Sequence, residues 1–156
     1  MEAPELNADF IDFLECLIAG NVRFVVVGAH ALAAHGLPRA TGALDVLIEP
    51  TPINASAVVG ALEAFGAPMK AHGVNREDFA KEGTVYQMGL PPRRIDLLTS
   101  VSGVSFERVW TGRIVAQVQG MPLPFIGCTQ LIEDKLASGR PKDLLDVAAL
   151  RSQADE

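Results

Sequence analysis

Apolar positions along this chain follow two rhythms, and the sharpest change between them falls at Gly28. Phe24 to Val27 is an unbroken apolar, β-branched run that predicts a buried strand. Gly28 interrupts it, and Ala29 to His35 is rich in strong helix formers until Gly36 and Pro38 stop the helix. Leu44 to Ile48 resumes the apolar run with Asp45 set inside it. Strand, glycine and helix start make a place that an anion can approach. Glycine has no Cβ to block it, and the N–H groups of a helix's first turn point outward. A carboxylate embedded in an apolar strand is costly unless a cation or a donor meets it.

The same rhythms continue on either side. Asn7 predicts an N-cap, followed by Phe10, Phe13, Leu14, Leu17 and Ile18 at helical spacing as far as Gly20. Thr51–Pro52 predicts a second helix start, with Ile53, Val58, Ala61, Leu62 and Phe65 as the buried face and Gly66 as the stop. Ala67 to Gly83 lacks a period and reads as a loop with a short helical piece around Glu77 to Lys81. Thr84 to Met88 and Ile95 to Leu98 read as strands, the second carrying Asp96 after the Pro91–Pro92 turn and the Arg93–Arg94 pair. Phe106 to Trp110 is a short helix, and Ile114 to Val118 and Met121 to Phe125 flank Gln119–Gly120 as a hairpin. Two helices close the chain. Cys128 to Ser138 turns Leu131, Ile132 and Leu136 inward, and Pro141 to Leu150 turns Leu144, Val147 and Ala148 inward. The expected fold class is α/β (α+β), a small mixed sheet flanked by helices in a single domain spanning 1–156.

Composition narrows the function classes. With 49% hydrophobic and 21% charged residues the chain is globular rather than disordered. A net charge of -6 argues against coating a long nucleic-acid duplex, but leaves room for a small triphosphate held by a few basic groups and a metal. Cys16 and Cys128 form neither a CxxC pair nor a disulfide framework. The start, MEAPELNADF, is acidic and lacks a signal-peptide pattern, and no apolar run approaches the roughly 20 residues of a membrane span, so a cytoplasmic location is expected. There is no GxxxxGK[ST], no GxGxxG and no GxSxG, which removes P-loop, dinucleotide and serine-hydrolase readings.

Asp45 and Asp96 are each a lone acid in an apolar strand. Converging near a helix start, two such carboxylates make a site for Mg²⁺ that bridges to substrate phosphates. The segment VGAHALAAHGLPRATGALDV resembles the nucleotidyltransferase superfamily that includes DNA polymerase beta, and most of all its small bacterial AbiEii-like minimal group, whose stretch runs close to VGGxAxxxHGxxRxTxDxD. Gly28, Ala31, His35, Gly36, Arg39, Thr41 and Asp45 stand in the matching places. RRIDLLTSVSGV resembles the segment carrying the third carboxylate, and LIEDKLASGRPKDLLDVAAL the closing helices.

The resemblance implies a nucleotidyltransferase-like fold and a Mg²⁺-dependent transfer of a nucleoside monophosphate from a nucleoside triphosphate to an RNA 3′ end or a protein hydroxyl. It implies Asp45 and Asp96 as catalytic metal ligands, and Gly28, Ala29, Arg39, Thr41, Lys135, Arg140 and Asp143 as nucleotide-binding residues. Two places depart from the pattern. Ala29 replaces a second Gly or Ser, which is mild. Ala43 stands where the family has its first metal-binding Asp; residues 43 and 45 share a strand face, so one of three carboxylates is missing and catalysis is expected to suffer. The alternative is a non-catalytic nucleotide-binding regulatory module, for instance one member of a toxin–antitoxin pair with a partner protein. For Arg140, Lys142, Asp143 and Asp146 a solvated helix start with local ion pairs stands level with the functional reading. His30 and His35, five residues apart on one helix, point different ways and are expected to be structural, not zinc ligands.

Overall fold

Capping side chains set where several helices begin. In the computed structural model, which describes residues 6–154, the Asn7 side chain accepts the Phe10 N–H at 3.0 Å and opens α1 (Ala8–Ala19). Residues 1–5 of the acidic N-terminus and the outer ends of the 1–156 span lie outside the described residues. The chain then enters β1 (Phe24–Val27), α2 (Gly28–Ala34) and β2 (Ala43–Ile48). Thr51 caps α3 (Pro52–Phe65) by accepting the Asn54 N–H, and Gly66 closes it. A reciprocal pair of caps between Asn75 and Asp78 holds α4 (Arg76–Phe79), so the short helix starts at Arg76 and stops before Lys81.

Next come β3 (Val85–Met88), β4 (Arg94–Leu98) and α5 (Phe106–Thr111). The hairpin β5 (Ile114–Val118) and β6 (Met121–Phe125) turns through Gln119 and Gly120, both at positive φ (48° and 82°), the backbone of a two-residue type I′ turn. Finally α6 (Cys128–Ser138) and α7 (Pro141–Ala154) pack on each other.

The six strands form one mixed sheet in the order β3-β4-β2-β1-β6-β5. β2 lies between β1, antiparallel to it, and β4, parallel to it. The four residues of β1 are buried, as a strand near the middle of a covered sheet requires. The fold class expected from the sequence is the one observed. Among the described residues no helix is long and apolar enough to cross a membrane.

Several face assignments differ from the sequence expectation. Ile18 is 36% exposed, at the edge of the α1 face. On α3 the buried stripe is Asn54, Ala55, Val58, Ala61 and Leu62, and Ile53 lies across the helix from it, 87% exposed. Asn54 can occupy the stripe because its amide is satisfied: it accepts the Arg23 N–H at 2.8 Å and donates to the Arg23 and Glu49 carbonyls. On α6, Lys135 lies four residues after buried Leu131 and takes the inner face, leaving Leu136 45% exposed. On α7 the inner stripe is Asp143, Asp146, Val147 and Leu150, while Leu144 and Ala148 face outward. Two acids share the docking face of that helix with Val147 and Leu150.

These assignments are tested on one helix. Leu62→Ala, at a fully buried position, is expected to lower unfolding free energy by about 2–5 kcal/mol. Ile53→Ala is expected to change it by no more than about 0.5 kcal/mol. Urea titration of the two variants gives both numbers.

Candidate functional site

Strand register brings the two lone acids together. Asp45 of β2 sits directly beside Asp96 of β4, and two pairs earlier Ala43 sits beside Arg94. Gly28, where β1 gives way to α2, lies under Asp45. Its φ is +71°, and a Cβ built there would stand 2.1 Å from Asp45 Oδ2, so this position has both a backbone and a space requirement for glycine. The strand–glycine–helix unit thereby presses its turn against the first carboxylate.

The two acids differ in their partners. Arg94 lies two residues before Asp96 on the same strand face and clamps its carboxylate with Nε to Oδ1 at 2.9 Å and Nη2 to Oδ2 at 3.1 Å. Asp45 has no such clamp. Burial, then the Asp96 charge beside it and a hydrogen bond with Asp96, push its pKa up to about 7 from 3.8, against a lowering pull from Arg94. Ala43, 6% exposed, offers only a methyl group.

Opposite this pair the closing helices supply a charged wall. Lys135 Nζ reaches Asp146 at 2.8 Å and Asp143 at 3.4 Å. Arg39, from the segment before β2, grips Asp146 with both terminal nitrogens at 3.1 and 2.7 Å. Arg140 donates to Asp143 at 2.6 Å. The Arg140 hydrogen bond holds the buried Asp143 carboxyl below the usual carboxylate range; for Asp146 burial pushes upward, but Arg39 and Lys135 outweigh it. A cavity of about 220 Å³ lies between the two halves, lined by Gly28, Ala29, Leu32, Asp45 and the charged groups of residues 39, 135, 140, 142, 143 and 146.

Of the residues singled out from sequence, Gly28, Ala29, Arg39, Asp45, Lys135, Arg140 and Asp143 therefore line one cavity. Asp96 adjoins Asp45 but does not line it. Thr41 does not line it either; its hydroxyl donates to the Ala43 carbonyl at 3.1 Å and accepts the Ala43 N–H, tying the start of β2. Sequence reasoning gave Arg94 no role, and weighed Lys142 and Asp146 without the inward turn of Asp146. Period-two alternation from Asp96 points to Arg94, and the three-residue step from Asp143 points to Asp146. The histidines are scattered: His35 Nε2 donates to the Ile126 carbonyl at 2.7 Å, and His72 Nδ1 pairs with the Tyr86 hydroxyl. His30 lies edge-on to Phe10, its Nδ1 without a partner among the described residues.

The donor set can be tested against a divalent ion. Among the described residues no three His, Cys, Asp or Glu side chains converge as a metal cage. Mg²⁺ does not need one, since it is commonly bound by one or two carboxylates together with substrate phosphates. Asp45, with Asp96 beside it, fits one such ion brought in on phosphates. A second ion lacks a protein oxygen at the Ala43 position, and Arg94 already occupies both Asp96 oxygens.

Comparison with known proteins bears on the fold. A solved structure from Thermotoga maritima, described as that of a "putative nucleotidyltransferase", superposes with a TM-score of 0.56 across 97% of this chain and 96% of that one, at 10% sequence identity. The chain thus has a nucleotidyltransferase-like fold. No protein-family model matches the sequence, and no curated protein matches it.

The Asp45 environment has a pH signature. Between about pH 4 and pH 7 the folded chain keeps a proton that the unfolded chain has released, so this group costs stability as pH rises through that window. Asp45→Asn, which can donate to Asp96 without charge, is expected to raise the melting temperature at pH 8 by about 2–8 °C and to leave it nearly unchanged at pH 4. Thermal melts at the two pH values check it; equal shifts at both would contradict the burial-and-repulsion account.

Proposed function

We propose that this chain binds a nucleoside triphosphate in the cavity between the Gly28 turn and α6–α7. On this reading it is a Mg²⁺-dependent nucleotidyltransferase of the minimal, AbiEii-like kind, moving a nucleoside monophosphate to an RNA 3′ end or a protein hydroxyl at a rate held down by Ala43. One observation carries the reading. Asp45 and Asp96 lie side by side over the Gly28 turn, and the cavity beside them is lined by Arg39, Lys135, Arg140 and Lys142.

Each residue has a task in this scheme. Lys135 and Arg39, held by Asp143 and Asp146, present positive charge to the phosphate chain without having to be ordered when it arrives. Arg140 and Lys142 close the same wall. Asp45 orients the phosphates through the ion they carry, which when bound supplies charge neutralisation at the transferring phosphorus. Asp96, beside it, is placed to accept the proton of an attacking hydroxyl once Arg94 yields an oxygen.

A second reading is favoured by two features, the methyl group of Ala43 and the Arg94 clamp on Asp96. In it the chain binds nucleotide without transferring it and serves as a regulatory module, for instance beside a partner protein in a toxin–antitoxin pair.

Ala43→Asp separates the two. On the first reading the restored carboxylate raises labelled-nucleotide transfer by about 10²-fold or more, with a dependence on Mg²⁺. On the second, calorimetry shows triphosphate binding by both forms and transfer by neither. Silence from the restored form with every triphosphate and acceptor, together with no binding, would remove both.

A further inference from the structure

The cavity's size and lining say which part of a nucleotide it can read. We infer that the site recognises the polyphosphate chain and is indifferent to the base, an inference that rests on the triphosphate-binding reading above. At about 220 Å³ the cavity falls below the roughly 300–1,000 Å³ of pockets that enclose a drug-sized ligand. Phosphates fill it, and base and sugar remain outside.

Its walls agree. Among the described residues no amide or hydroxyl side chain lines it, and Leu32 is its only large apolar side chain. Asp143 and Asp146 are committed to Lys135, Arg39 and Arg140, so they are not available to read a base edge. Lys142 has no ion-pair partner among the described residues and faces the cavity as an uncompensated charge.

No aromatic ring lines the cavity. Six of the nine aromatic side chains are buried in the core, and Phe65 packs against Phe13. Phe106 and Trp110 stack on each other in α5, with the Arg113 guanidinium over the indole. A base resting on an aromatic ring gains about 1–3 kcal/mol, and a site that discriminates strongly does so with polar groups that pair with its ligand. The cavity has no ring to stack on, and its polar groups are charged side chains that the triphosphate reading commits to phosphate, to its ion or to one another.

The test is calorimetry of the full chain with ATP, GTP, CTP, UTP and inorganic triphosphate, each with Mg²⁺. The four nucleotides are expected to bind within about 3-fold of one another, and inorganic triphosphate within about 10-fold of them. Lys142→Gln, at an exposed position, is expected to weaken all five by a common factor of about 3–10. A preference of 10-fold or more for one base overturns the inference. So does nucleotide binding without inorganic triphosphate binding, or a Lys142→Gln effect confined to the nucleotides; in those cases triphosphate binding itself still stands. If none of the five binds, that reading falls and this one with it.

Discussion

Two aspartates paired across parallel strands repel each other, and the middle of a sheet screens them poorly. The arrangement at Asp45 and Asp96 persists because the two charges are handled differently. Arg94 neutralises Asp96 with a two-pronged grip, and Asp45 is pushed toward its protonated form beside the Gly28 turn. Much of the local sequence answers to this constraint. Glycine at 28 makes room for the Asp45 carboxylate, and alanine at 43 adds no third negative charge to the pair. A cation arriving on phosphates would relieve what the protein leaves uncompensated, which is why the same stress point is the natural place for a ligand.

The opposite wall follows another logic. α7 docks through Asp143 and Asp146 as well as Val147 and Leu150, so part of its inner face is ionic. Buried acids of this kind stabilise only when each meets its partners, and here Lys135, Arg39 and Arg140 all converge on the two carboxylates. The network fixes three cations at the cavity edge. Packing and the charge at the cavity edge are therefore carried by the same side chains, and the reading of this segment as a solvated helix start with local pairs does not describe the depth at which the acids sit.

That difference marks what was legible in the sequence. The strand–glycine–helix–strand unit could be read because apolar runs and chain-breaking residues are local signals, and the hairpin because Gln119–Gly120 lies between two matched strands. The α7 face could not, since hydrophobic periodicity counts Leu144 and has no weight for an acid whose partners are on α6 and before β2. The pairing of Asp45 with Asp96 depends on β2 meeting β4 in parallel, across more than forty residues of chain, and no local pattern specifies that register. Arg94 was visible as half of a basic pair, yet its role emerges only once the strand's phase places it on the Asp96 face. The residues of the site were thus largely identifiable one by one. The convergence of Asp45 and Asp96 beside the Gly28 turn was expected through the family resemblance, whereas the Arg94 clamp and the inward acids of α7 were not.

The cavity is also split in time. Its floor, from Gly28 to Asp45, leaves the ribosome well before Lys135 to Asp146 do. A growing chain can assemble much of the central sheet while the charged wall of the cavity does not yet exist. The cavity is therefore completed only with the docking of α7, and a chain cut short before residue 135 would keep Asp45 and Asp96 but lose Lys135, Arg140 and Lys142 from the wall that faces them.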